Sequence, residues 1–193
     1  MCGITGLLYY NNNSDLNEST LLSMRDAMVH RGPDGGGSWV SEDKKVGFAH
    51  RRLSIIDLAQ TAAQPMPNED NSIWITFNGE IYNHLSLRAE LTEEGHRFRT
   101  NHSDTEVIIH GYEQWGIDGL LERLEGDYAF AVYDIPNKLL YIARDRVGVK
   151  PLYFTDQQGI FIFASEIKAI LKHPIIQRDI DPIAMYHYLS FLT

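Results

Sequence analysis

The chain has 193 residues, 44% of them hydrophobic and 22% charged, with 7 prolines; this is the composition of one globular domain, not of a disordered, collagen-like or coiled-coil chain. Twenty-six acidic residues against 17 basic ones leave a net charge of −9, which argues against a nucleic-acid binder, whose mark is a basic patch or stripe. No apolar run approaches the roughly 18 residues of a membrane span and the N-terminus lacks a signal peptide's basic and apolar regions, so the expectation is a cytoplasmic chain without membrane partner.

Taken in order, Ile4 to Tyr10 is apolar and strand-like, and Asn11 to Ser14 reads as a loop. Leu21, Met24 and Met28 recur at helical spacing. The glycines at 32 and 35–37 with Pro33 predict a loop over residues 30–37 with unusual backbone angles. Strands are expected around Trp39 and Phe48, and another over Ser72 to Phe77; Asn78-Gly79 then predicts a tight hairpin before Glu80, Ile81 and Tyr82. A helix over Leu85 to Glu94 stops at Gly95. Ser103-Asp104-Thr105-Glu106 fits a capping box, with Glu106 reaching back to Ser103, ahead of a helix to about Trp115.

The second half holds four short apolar runs, DYAFAVYD, LLYIARD, PLYF and GIFIFAS, which read as four strands. A helix over Glu166 to Lys172 is broken before Pro174, and Asp181-Pro182 opens another that is still apolar and aromatic at Leu192. That open apolar ending suggests a single domain over 1–193 whose last part, about 174–193, leads into further chain.

A single cysteine excludes an internal disulfide, and no CxxC or HExxH spacing marks a metal site. As a lone cysteine, Cys2 reads either as a small buried hydrophobe or as a nucleophile. Its position favours the second reading. Once Met1 is removed, Cys2 carries a thiol and a free α-amine, of reference pKa about 8.5 and about 7.7 to 8.0, so one residue holds both nucleophile and base. Attack on an amide needs donors aimed at the developing oxyanion. Asn78 and Gly79 are candidates, although the same pair is accounted for by turn geometry alone. The glycine-rich run at 32–37 lacks the GK[ST] of a phosphate loop and is not read as a nucleotide site. His30, His50, His84 and His110 are read as structural.

Met-Cys-Gly-Ile at the start, HRGPDGGG at 30–37, AHRRLSIID at 49–57, QPM at 64–66, FNGEIYNH at 77–84, SDTEV at 103–107, GDYAFAVYD at 126–134 and ARDRVGVKPLYF at 143–154 together resemble the class II glutamine amidotransferases. Within them the chain is similar to the N-terminal glutaminase domain of glutamine-hydrolysing asparagine synthetases. The resemblance runs over essentially the whole sequence. It implies an α+β fold of the N-terminal-nucleophile hydrolase type, a four-layer αββα sandwich with two mainly antiparallel sheets.

It also implies roles. Cys2 would be the nucleophile and its α-amine the base, with Asn78 and the Gly79 N–H as oxyanion hole. Arg52, and not its neighbour Arg51, would grip the α-carboxylate of L-glutamine, a task suited to a planar guanidinium. Glu80 and Asp104 would receive the α-ammonium, and main-chain groups of Leu53 and Ile55 would complete the pocket. Read singly, Arg52 is equally an ordinary salt-bridged arginine, Glu80 a solvated strand charge and Asp104 a helix-start acid.

The implied half-reaction makes glutamate and ammonia through a Cys2 thioester without metal or organic cofactor. The ammonia would serve asparagine synthesis from aspartate in a C-terminal synthetase domain, outside this chain, that uses ATP and Mg. A homodimer is also compatible with the resemblance. Three rival readings stand beside it: another ammonia acceptor, such as an amino sugar or a surface-polysaccharide precursor; a catalytically silent regulatory module if Met1 is retained; and a protein-interaction domain.

Overall fold

The computed structural model describes residues 1–11, 15–53 and 63–191. In chain order the elements are β1 (Gly3–Tyr9), α1 (Glu18–Asp26), β2 (Gly35–Val40), β3 (Val46–Arg52), β4 (Met66–Pro67), β5 (Ile73–Ile81), α2 (His84–Glu93) and α3 (Asp104–Arg123). There follow β6 (Gly126–Asp134), β7 (Leu139–Arg144), β8 (Tyr153–Gln157), β9 (Ile160–Ala164), α4 (Ile167–Ile170) and α5 (Pro182–Phe191). The strands form two antiparallel sheets, ordered β2-β3-β1-β9-β8 and β4-β5-β6-β7.

Strand alternation sorts the apolar residues into three cores. Leu7 and Tyr9 of β1 face outward and meet Leu21, Met24 and Met28 from the α1 region and Ala169 and Ile170 of α4. On the far side Ile73, Ile75, Phe77 and Ile81 of β5, with Tyr128, Phe130 and Val132 of β6, pack on Leu87 and Leu91 of α2 and Val107 to Ile109 of α3. Between the sheets lie Ile4, Val46, Phe48, Ala129, Ala131, Tyr133 and Phe163. There Trp39 stacks on Trp74 with centroids 4.6 Å apart. Three cores between helices, sheet, sheet and helices make the αββα sandwich.

Two turn expectations fail, for one reason. Residues 35–37 are not a loop but the start of β2, paired with Arg52, Arg51 and His50, and Asn78-Gly79 is not a hairpin but the middle of β5, paired with Ala129 and Tyr128. None of these glycines has positive φ. They are needed because other backbone comes too close for a Cβ: one on Gly37 would lie 2.0 Å from the Gln64 carbonyl oxygen, one on Gly32 2.4 Å from the Arg51 carbonyl carbon and one on Gly79 2.3 Å from the Asp127 carbonyl oxygen.

The capping box also fails. Ser103 precedes α3 without a side-chain bond to it, and Glu106 turns instead to the preceding loop, accepting from the N–H groups of Arg99 and Thr100 and from the Thr100 hydroxyl. Helical geometry breaks at Gly116 (φ 68°), directly after the expected end at Trp115, and the chain then turns helical again to Arg123. Asn11 begins the predicted polar loop, whose residues 12–14 lie outside the described residues, as does Leu192. Among the described residues no helix is long and apolar enough to cross a membrane.

Gly37→Ala separates close approach from turn geometry. In an unconfined loop of negative φ it would be neutral or stabilising by about 0.4–1 kcal/mol. Against the Gln64 backbone it is expected to destabilise by about 1–3 kcal/mol, read as a lower urea midpoint.

Candidate active site

Alternation places Cys2 on the same face of its strand as Ile4, the face turned to the second sheet. Two residues contact it directly and a third anchors the strand that follows. The Arg31 Nε donates to the Cys2 carbonyl oxygen at 2.9 Å, with the same guanidinium 3.2 Å from Glu166. The Leu53 N–H points at the Cys2 Sγ from 3.5 Å. Two residues on, Ile4 is bracketed by Ser165, whose hydroxyl accepts from the Ile4 N–H at 3.0 Å and whose own N–H donates to the Ile4 carbonyl at 2.8 Å. The HRGP stretch therefore contributes Arg31, a residue that sequence reasoning passed over because it read the segment as a glycine-rich loop.

Across the gap, Asn78 and Glu80 share with Thr76 the inward face of β5. Asn78 is buried, and its Nδ2 has no hydrogen-bond partner among the described residues. A buried donor without a partner costs about 1–3 kcal/mol, so it marks a place where an acceptor is expected. Gln64, also missed, fixes this wall: its Oε1 accepts from the Phe77 N–H at 2.6 Å and its Nε2 donates to the Thr105 hydroxyl at 3.2 Å.

Cys2, Arg52, Leu53, Asn78, Gly79, Glu80 and Asp104 line one cavity of about 490 Å³, together with Met1, His50 and Lys150. Every sequence-predicted site residue that the structure describes is brought to this space; Ile55 lies outside the described residues. Arg51 takes the other face of β3, donating to the Gly32 carbonyl at 2.9 Å and pairing with Asp26 at 3.5 Å.

The cavity is electrostatically divided. Burial raises the Asp104 carboxyl above the ordinary carboxylate range; the Ile81 N–H at 3.1 Å opposes that and the charge of Glu80 adds to it. Two carboxylates so placed favour a bound cation. Arg52 supplies positive charge at the same cavity. Burial brings the pKa of His50, which also lines the cavity, down to about 4, with Arg52 and Arg51 acting in the same direction and the Phe77 backbone opposing them; its buried Nε2 has no hydrogen-bond partner among the described residues. His30 and His84 make local contacts, to Glu166 and to the Ile81 carbonyl. In the ARDRVGVKP stretch the buried Asp145 accepts from the N–H groups of Val149 and Lys150 and Arg144 donates to the Lys150 carbonyl, which fixes the segment that brings Lys150 to the cavity.

Residues 1–193 match the family described as a glutamine amidotransferase domain. The chain is 42% identical over 183 residues to the glutamine-hydrolyzing asparagine synthetase 3 of Bacillus subtilis, covering 94% of this chain and 29% of that protein. It is 40% identical over 206 residues to a putative glutamine-hydrolyzing asparagine synthetase of Methanocaldococcus jannaschii, covering 95% and 36%. The chain thus spans about a third of the length of such relatives. Among solved structures, the glutamine phosphoribosylpyrophosphate amidotransferase of B. subtilis superposes with a TM-score of 0.70 at 22% identity, over 88% of this chain and 43% of that one, a likeness of fold.

Ser165→Ala is expected to cost about 1–3 kcal/mol, because it orphans the buried Ile4 N–H two residues from Cys2; a urea midpoint unchanged from the parent would show that Ser165 does not anchor this strand.

Proposed function

Because the chain belongs to the glutamine amidotransferase domain family and is an enzyme of that class, we propose that it hydrolyses L-glutamine to glutamate and ammonia with Cys2 as nucleophile. The observation that carries this reading is that residues from the N-terminus just ahead of β1, from β3, from β5 and from the start of α3 converge on one cavity around the single thiol.

In the proposed sequence, removal of Met1 frees the Cys2 α-amine, which takes the thiol proton as the sulfur attacks the carboxamide carbon. The carbonyl oxygen gains charge beside Asn78 and the Gly79 N–H, and the vacant Nδ2 of Asn78 is a preorganised donor for it. Collapse of the tetrahedral adduct expels ammonia, the amine returning its proton to the leaving nitrogen. Water activated by the same amine then releases glutamate from the thioester. Arg52 takes the substrate α-carboxylate and Glu80 with Asp104 the α-ammonium, so both ends of the amino acid are held; Leu53 and Ile55 supply main-chain contacts. Thiol, amine and fixed donors suffice for this half-reaction without metal or organic cofactor.

The destination of the ammonia is proposed from the relatives: an ATP- and Mg-dependent synthetase domain that makes asparagine from aspartate. Support comes from α5, which buries none of its residues and exposes Ile183, Met185, Tyr186, Leu189 and Phe191, as a segment about 174–193 leading to a further domain would.

The test is intact-mass analysis before and after incubation with an electrophilic glutamine analogue. A chain lacking Met1 is expected to gain one adduct on Cys2, protected by glutamine; a processed chain that neither reacts nor turns over glutamine overturns the reading. In the same assay Asn78→Ala is expected to lower kcat by about 10²- to 10³-fold.

Asp104→Asn removes half of the ammonium site and is expected to raise the KM for glutamine more than it lowers kcat. In the parent, the raised pKa of Asp104 means that glutamine affinity falls on acidification at a higher pH than an ordinary aspartate would dictate; the KM–pH profile checks both.

A further inference from the structure

Outside the catalytic cavity, a group of three side chains sits where the loop after α2 meets α3. His96 and His110 face each other with Nδ1 atoms 3.3 Å apart. The Glu113 Oε2 lies 2.8 Å from the His110 Nδ1 and 3.6 Å from the His96 Nδ1. His110 and Glu113, spaced i,i+3, share one face of α3.

The outer atoms of the three groups decide what the inner atoms are. The His96 Nε2 is 3.1 Å from the Gln114 Oε1, and that amide is oriented by its Nε2, which donates to Glu94. An amide oxygen only accepts, so His96 carries its proton on Nε2 and presents a lone pair at Nδ1. The His110 Nε2 has two carboxylates nearby, Glu69 at 3.5 Å and Glu106 at 3.8 Å, but no hydrogen-bond partner among the described residues. The second Glu113 oxygen accepts from the Asn68 Nδ2 at 2.8 Å, and Asn68 is itself fixed because its Oδ1 takes the Ile73 N–H. With the His110 proton on Nε2, three acceptors point at one another. One proton bridges only one pair of them, leaving the third facing a lone pair.

We propose that His96, His110 and Glu113 form a binding site for a divalent transition-metal ion of the zinc class. Zinc bonds of about 2.0–2.2 Å to imidazole nitrogen and carboxylate oxygen, at tetrahedral angles, put neighbouring donors about 3.3–3.5 Å apart, against 3.3, 2.8 and 3.6 Å here. The remaining position is open to water, since the side chains of His96 and Glu113 keep 17% and 22% exposure while His110 keeps 2%. Carboxylate and amide partners behind each ligand are the arrangement that orients metal-binding imidazoles and carboxylates. None of the three residues lines the catalytic cavity, so the ion would tie the α2–α3 connection to α3 and take no part in glutamine chemistry.

The test uses the untagged chain with Cys2→Ala, which removes the only thiol, and titrates it with Zn²⁺ by calorimetry alongside thermal denaturation. Uptake of about one equivalent is expected, with a rise in Tm that grows with free zinc. His96→Ala and Glu113→Gln should each weaken zinc binding at least tenfold and abolish the Tm rise, while their metal-free circular dichroism matches the parent. Glu113→Gln leaves the Asn68 contact available and decides the matter should His96→Ala misfold. No zinc uptake, or a folded variant that binds zinc as well as the parent, overturns the site.

Discussion

β1 is gripped along both edges, by β3 from Gly3 opposite Arg51 to Leu8 opposite Val46 and by β9 from Thr5 opposite Ala164 to Tyr9 opposite Ile160. Side chains alternate with a period of two, so a slip of one residue on either edge would turn every side chain of the strand to the other face. Leu7 and Tyr9 would leave the helix-side core, Ile4 would leave the gap between the sheets, and Cys2 would face away from Asn78. The buried apolar residues thereby hold the register, and the register aims the thiol. Gly6 sharpens this: a Cβ there would lie 2.5 Å from the Phe163 ring, so the strand fits its neighbour ring in one alignment.

The second sheet reaches the same cavity by the opposite division of labour. The outward face of β5 is wholly apolar at Ile73, Ile75, Phe77 and Ile81 and anchors the strand on α2 and α3. Its inward face is free to be polar at Thr76, Asn78 and Glu80. An unpartnered Asn78 amide and a raised Asp104 carboxyl both raise the energy of the ligand-free state. They persist because β5 is paired over its whole length with β6. Such local cost beside a stable frame is what a preorganised binding site requires.

This division also explains what could be read from the sequence. Short apolar runs disclosed most of the strands, and Leu21, Met24 and Met28 at helical spacing the first helix, since burial against a sheet leaves a trace in the sequence. Cys2 stood out by position, and Asn78 and Gly79 by type. Where reading failed, the signal was ambiguous: a glycine records only the absence of a Cβ, and sequence does not distinguish a left-handed turn from a neighbour 2.0 Å away, as at Gly37. Ser103 and Glu106 have capping-box spacing, yet three donors from Arg99 and Thr100 outcompete one backbone N–H for that carboxylate. Arg31 and Gln64 act through long-range contacts with Cys2 and Phe77, which no local pattern encodes.

α3 binds these observations together. Thr105 to Tyr112 are all buried, so its first two turns have no solvent face, and Glu106 and His110 must be satisfied inside. Loop N–H groups hold Glu106 and Glu113 holds His110 through its Nδ1, giving the helix directional contacts that apolar packing alone lacks. At about 1.5 Å per residue, His110 stands about 9 Å along the axis from Asp104, and the segment between them is a packed rod. What fixes His110 and Glu113 at one end thus also fixes, at the other, the carboxylate that meets the cavity.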